Sequence, residues 1–474
     1  MSDHYVRSMD DLPKEIQQYI ESSRFSVFID EDQKKLANFV YKLAADKCRE
    51  IAQKFEINCS FIKVYSDSCK SEAITDFSEG FSLIVHDQFL GQVFNMFNRI
   101  LFYDCDSNTS MTYAHKFSSF NLCRFGYLRE AIFCAEYYRD NRHSMDLYKK
   151  QTESGMITHA IVTRIQENFI ILHELCHIIK RRKPGKILDK ENYVRSSLRD
   201  YLNHNKTFFL SCMGENKSVK DSYRKSSVRF KFIDAYNQKS DDLADLAFSM
   251  IEEVGYLEEL VCDLFSVDEL SNHPDLLGFH VHKIENDLTF SSSDDDSSEI
   301  SSKITFFIGI VTALLHLRTM QTVQSTINSH ADMLINFNIE HDFNSIKFDP
   351  VVYFLNNIRV HFVKEYIFNN FFHESERSMA FESMFSLMDD HTDKIFSPST
   401  TIVNNMLYND KIISEYIEGL DEDLPDDDVE ARLVVSALWQ LGGSQSSDDL
   451  KKINAIQREF MDAFSRLDQD KESD

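Results

Sequence analysis

From residue 155 to residue 183, apolar side chains return every three or four positions: Ile161, Ile165, Phe169, Leu172, Cys176 and Ile179 fall on one stripe. That is the period of an α-helix, so the spacing predicts one long helix here. Ser154 suits its N-cap, and Arg181, Arg182 and Lys183 suit the negative end of its dipole just before Pro184 and Gly185 stop it. The same spacing predicts helices over 30–55, over 87–102 with Asp87 as cap, over about 124–150 and over 254–270. Two short runs have a different texture. INCSFIKVYSD (57–67) and GFSLIVHD (80–87) are rich in Ile, Val and Phe with partial alternation, which predicts strands of a small sheet.

Beyond residue 320, stretches such as VVYFLNNIRVHFVKEYIFNNFF (351–372) and EARLVVSALWQL (430–441) predict a further helical lobe, interrupted by the acidic loop 421–430. The expected fold class is therefore mainly α with a small β-sheet. The expected division is N-terminal helices over 1–56, a core over 57–320 with an insertion around 185–240, and a C-terminal helical lobe over 321–474. Polar stretches at 204–229 and 290–303 read as loops, and no internal repeat is visible.

Composition narrows the classes. Only 12 Gly and 6 Pro in 474 residues agree with a helical chain. A formal net charge of −26 argues against a nucleic-acid backbone or an anionic membrane as partner. The apolar run ITFFIGIVTALLHL (304–317) is shorter than the roughly 20 residues that cross a bilayer and reads as a buried helix. No secretory signal opens the sequence, and the nine cysteines are scattered without a CxxC pair, which suits reduced thiols and a cytoplasmic location.

Against this background the chemistry concentrates in HELCH (173–177), inside the long helix. His173 and His177 lie one turn apart on one face and can donate two imidazole nitrogens to one metal. Glu174 is offset by one residue, where a general base for a metal-activated water belongs. Burying such a cluster among Ile170, Ile171, Leu172, Ile178 and Ile179 costs free energy unless something pairs with it, and Zn2+ would. For a third ligand, VGYLEELVCDLFSVDEL (254–270) offers Glu259, with Glu258, Glu253 and Glu252 as competitors. Asp263, one turn after Glu259, would accept the free N–H of a ligating histidine. Cys176 and Cys262 read as small core thiols. For an oxyanion donor the sequence offers Tyr256, His280, His282 and His316 without ranking them.

HELCH (173–177) followed on a later helix by EELVCD (258–263) resembles the gluzincin class of zinc metallopeptidases, whose pattern is HExxH followed by ExxxD. The resemblance covers the two motif helices. It implies a zincin-like core, a Zn2+ cofactor held by His173, His177 and Glu259, Glu174 as catalytic base, Asp263 in support and a protein or peptide substrate. The strand GFSLIVHD would either hold that substrate in extended form or serve the sheet alone. Such an enzyme would be a processing peptidase or a toxin or defence effector. The alternatives are a helical interaction module with a structural or absent metal, and a zinc hydrolase acting on a non-peptide amide.

Overall fold

The computed structural model describes residues 44–64, 71–75, 81–103, 105–142, 153–205, 227–273, 296–336 and 350–408, with positions 14, 17 and 18 besides. The expected helices at 430–441, the acidic loop 421–430 and the histidines His280 and His282 lie outside these residues. Within them the chain is mostly helical with one small three-stranded sheet, as the apolar spacing predicts.

The strands are β1 (Asn58–Val64), β2 (Ser71–Ile74) and β3 (Phe81–Asp87), in the order β1-β3-β2. β1 runs parallel to β3, with Asn58 opposite Phe81, and β2 runs antiparallel to it, with Ala73 opposite Ile84. β3 is thus the middle strand, buried along its whole length. This corrects the expectation that GFSLIVHD could receive an added strand. Its unbroken apolar run marks a strand covered on both faces, and both its edges are already paired. The edge on that side of the sheet is β2.

The helices are α1 (Gln88–Phe102), α2 (Ser107–Arg124), α3 (Leu128–Asn141), α4 (Glu153–Arg182), α5 (Leu188–His204), α6 (Val228–Gln238), α7 (Leu243–Glu253), α8 (Tyr256–Asn272), α9 (Asp296–Asn336), α10 (Pro350–Phe371), α11 (Glu374–His391) and α12 (Ser397–Tyr408). α1 buries Leu90, Val93, Phe94, Phe97 and Leu101, the positions its period picks out. α4 is the long helix of the sequence, begun one residue ahead of the expected cap Ser154. It is enclosed on all sides near HELCH, where Ile170, Ile171, Leu172, Leu175, Cys176, Ile178 and Ile179 are buried. The stretch expected as an insertion contributes α5, which packs on α8.

The run 304–317 belongs to a longer apolar stretch, Ile304–Ala331, long and apolar enough by length and composition to cross a membrane, although 78% of its most apolar window is buried inside the protein. That burial has a structural signature. At Gly309 a Cβ would stand 2.6 Å from Ile165 Cγ2 and 2.8 Å from Ile165 Cβ, so only glycine lets α9 approach α4 this closely. Two other features fix α4 and α8. Arg182 donates to the main-chain oxygens of Thr75 and Phe81 and to Ser82 Oγ, tying the end of α4 to β2 and β3. Gly255, at φ +73°, makes the left-handed turn that starts α8 immediately after α7.

The chain forms two compact units, each built from separated segments. The first comprises Met1–Phe102, Thr152–Thr322 and Phe348–His391, and so combines the sheet, α1, α4 to α8, the first part of α9, α10 and α11. The second comprises Tyr103–Gln151, Val323–Lys347 and Thr392–Asp474, where α12 packs on α2 and Tyr127 Oη is 2.7 Å from His330 Nδ1.

Candidate metal centre

α4 and α8 bring HELCH and EELVCD together inside the first unit. His173 Nε2 and His177 Nε2 face each other at 3.1 Å. The two oxygens of Glu259 complete a triangle, Oε2 at 3.2 Å from His173 Nε2 and Oε1 at 3.4 Å from His177 Nε2. In a tetrahedral zinc site with metal–donor bonds of about 2.0–2.1 Å, donor atoms lie roughly 3.3 Å apart. The three separations are close to that spacing, the two to Glu259 running to different oxygens of one carboxylate.

The outward nitrogens are tied back to acids. His173 Nδ1 lies 2.9 Å from Asp263 Oδ1, and His177 Nδ1 lies 2.7 Å from Glu258 Oε1, so each Nδ1 carries the proton and each Nε2 points inward. Asp263 is fully buried and receives Arg359 of α10 in a bidentate pair, Nε at 2.6 Å from Oδ2 and Nη2 at 2.7 Å from Oδ1. Arg359 Nη1 is also 3.7 Å from Glu259 Oε2, and Lys180 Nζ is 3.2 Å from Glu258 Oε2. Asn356, one turn before Arg359, accepts a hydrogen bond from Tyr256 Oη at 2.8 Å.

The protonation pattern follows from these contacts. Burial pushes the His173 imidazole down, but Asp263 and Glu259 outweigh it and the group is pushed up to about 10. Burial likewise works against His177, yet Glu258 and Glu259 raise it to about 9. Glu259 is disfavoured as an anion by burial, but His173, His177 and Arg359 hold it well below the usual carboxylate range. Glu174 behaves oppositely, since burial raises its carboxyl against the pull of both histidines. Without a metal the protonated His173 and His177, with Arg359 and Lys180, offset the carboxylates Glu258, Glu259 and Asp263, and a divalent cation bound between the imidazoles would replace the two protons their inner nitrogens hold.

Glu174 is anchored to the sheet, its carboxylate accepting the main-chain N–H of Ala73 in β2. Arg181, one turn beyond His177, donates to the main-chain oxygen of the same residue at 3.0 Å. The outward main-chain groups of β2 at Ala73 are therefore held by the helix that carries the histidines.

His173, His177 and Cys262 form a buried group able to bind a metal, each offering a ligand atom within 4.8 Å of the others. Glu259 stands nearer to both histidines than that limit, though its side chain is one-third exposed. Two of the competitors for third ligand are engaged otherwise. Glu258 orients His177, and Glu252 pairs with Arg195 of α5.

His316 is committed to other partners. Its Nε2 donates to Asn98 Oδ1 at 3.0 Å and its Nδ1 meets His391 Nε2 at 3.0 Å, leaving no nitrogen for a substrate. Of the two oxyanion candidates among the described residues, Tyr256 is the one beside the centre, close enough to Arg359, Glu259 and Asp263 to feel their charges. Arg359 belongs to neither motif, yet the sequence carries a signal for it. It is the one Lys, Arg, Asp or Glu between residues 350 and 363 of an apolar helix, and a buried guanidinium requires an acid. Comparison of the chain with protein-family models, with curated proteins and with solved structures finds no match.

Proposed function

We propose that the chain is a zinc-dependent hydrolase of amide bonds, of the HExxH–ExxxD kind, acting on a protein or peptide. The observation that carries this reading is the triangle of His173, His177 and Glu259 side chains, with the two Nε2 atoms 3.1 Å apart and each 3.2 or 3.4 Å from one oxygen of the Glu259 carboxylate, beside an acid that is not part of it. A bound zinc ion would supply Lewis acidity to water and to the scissile carbonyl. Glu174, raised by burial, takes the proton released when water attacks and returns it to the leaving nitrogen. Asp263 and Glu258 keep both imidazoles in the tautomer that presents Nε2, and Arg359 keeps Asp263 ionised. Tyr256, near enough to Glu259 and Asp263 to feel both charges, would donate to the developing oxyanion once its hydroxyl left Asn356.

Bound metal and new protein N-termini should be measured for wild type and Glu174→Gln. The variant is expected to keep about one zinc per chain while cleavage falls by at least a hundredfold. Equal cleavage by the two proteins, or a wild type that binds no metal, rejects the reading.

A further inference from the structure

Among the described residues, Cys262 is the buried soft donor grouped with the two histidines that the hydrolytic reading leaves unused. It is three residues after Glu259 and one before Asp263, on the side of α8 that faces α4, and it is fully buried. Its sulfur lies within 4.8 Å of a ring nitrogen of each histidine. It is also hydrogen-bonded to the thiol of Cys176, which comes between His173 and His177 in the sequence of α4 and is equally buried. One sulfur therefore has two partners within reach, the histidine pair and a second thiol.

We propose that Cys262 is a reversible fourth donor to the metal, so that the centre has a closed state with two histidines, Glu259 and the Cys262 thiolate, and an open state in which Cys262 rests on Cys176. This rests on the metal reading above and describes how that same site is regulated. A zinc–thiolate bond of about 2.3 Å beside zinc–imidazole bonds of about 2.0 Å gives a nitrogen–sulfur edge of roughly 3.6 Å. The sulfur already lies within 4.8 Å of a ring nitrogen of each histidine, at most a little over an ångström beyond that edge length. On binding, Cys262 gives up its thiol proton to solvent and its sulfur lone pair to the metal, and no electrons are transferred. A buried thiol is otherwise a poor acid, and burial holds this one protonated while it faces Cys176. In the closed state no position remains for water, because four protein donors complete a tetrahedron.

The test uses the full chain. Zinc-loaded wild type is measured by X-ray absorption, and cobalt-substituted wild type, Cys262→Ser and Cys176→Ser are compared by optical spectroscopy with and without acetohydroxamate. A sulfur scatterer at about 2.3 Å from zinc is expected, together with a near-ultraviolet thiolate-to-cobalt band lost in Cys262→Ser and kept in Cys176→Ser. Acetohydroxamate should perturb the cobalt spectrum of Cys262→Ser at a concentration at least tenfold lower than it needs for wild type. Metal bound through the histidines with no sulfur scatterer overturns the proposal and leaves the hydrolase reading standing. Absence of any bound metal in wild type overturns both. Because the absorption measurement needs no variant, a misfolded Cys262→Ser protein would not spare the proposal.

Discussion

At the scale of single residues, the decisive pair is Asp263 and Arg359. Both are almost completely buried, and each offsets a charge the other could not carry alone. Arg359→Leu should destabilise the protein by about 3–5 kcal/mol and weaken zinc about 10- to 100-fold, because Asp263 would remain as a buried anion supported by His173 alone. Denaturant unfolding and zinc competition with a chelator check the two effects separately. Unchanged zinc affinity would mean that Asp263 needs no help to orient His173. The residues of the triangle were legible in the sequence because HExxH and ExxxD each place groups one helical turn apart. For Arg359 the sequence shows only that a buried guanidinium needs an acid and not which one, since that depends on a helix, α10, that lies beyond α9 in the chain and packs back on α8.

At the scale of elements, α4 is held by packing and by a buried polar network, and each makes a prediction. Gly309→Ala should destabilise by about 1–3 kcal/mol, since the added methyl would meet Ile165 of α4 at 2.6 Å. A destabilisation below about half a kcal/mol would show that α9 can slide without loss. The network joins four helices. Asn98 of α1 donates to Thr163 Oγ1 at 2.9 Å and to Gln166 Oε1 at 2.7 Å, while Gln166 Nε2 donates to Asn98 Oδ1 at 3.1 Å and to Thr312 Oγ1 at 2.7 Å. With Asn98 fixed in that sense, His316 must carry its proton on Nε2 and accept from His391 Nε2.

Burial lowers His316 from 6.5 to about 3, and no acid in this network stabilises the imidazolium. A histidine depressed on folding takes up protons in the unfolded chain first. Its stability contribution is complete above about 6.5 and is lost progressively as pH falls from there toward 3, on the order of 1.4 kcal/mol per pH unit. Unfolding free energies measured between pH 7 and pH 4 should fall, and His316→Asn should reduce the slope. A slope untouched by the substitution would reassign the acid sensitivity to other groups. Helical spacing announced α1, α4 and α8, whereas nothing in a single sequence could announce that Asn98, Gln166, Thr312, His316 and His391 converge. Each is a polar residue in an apolar helix, and their partners lie on other helices.

At the scale of the whole molecule, the unit that carries the centre is assembled from three separated stretches of chain, the last being Phe348–His391. Residues 57–320 hold every group that the two motifs contribute, but not Asn356 and Arg359, which α10 supplies to Tyr256, Glu259 and Asp263. The helical nature of 351–372 was legible, but its spacing alone placed it in the C-terminal lobe, because apolar spacing reports that a segment will be buried and not against what. Connectivity therefore limits where the chain can be cut. A chain ending at residue 347 retains HELCH and EELVCD intact, yet Asp263 would lose its bidentate partner and the apolar faces of α8 and α10 would lose each other. Zinc per chain, measured by mass spectrometry after washing with a weak chelator, should fall at least tenfold relative to the full chain, in the same direction as Arg359→Leu. If the shortened chain folds and keeps its zinc, the two motif helices are sufficient for the centre, and the charge that Arg359 brings must serve something other than holding it together.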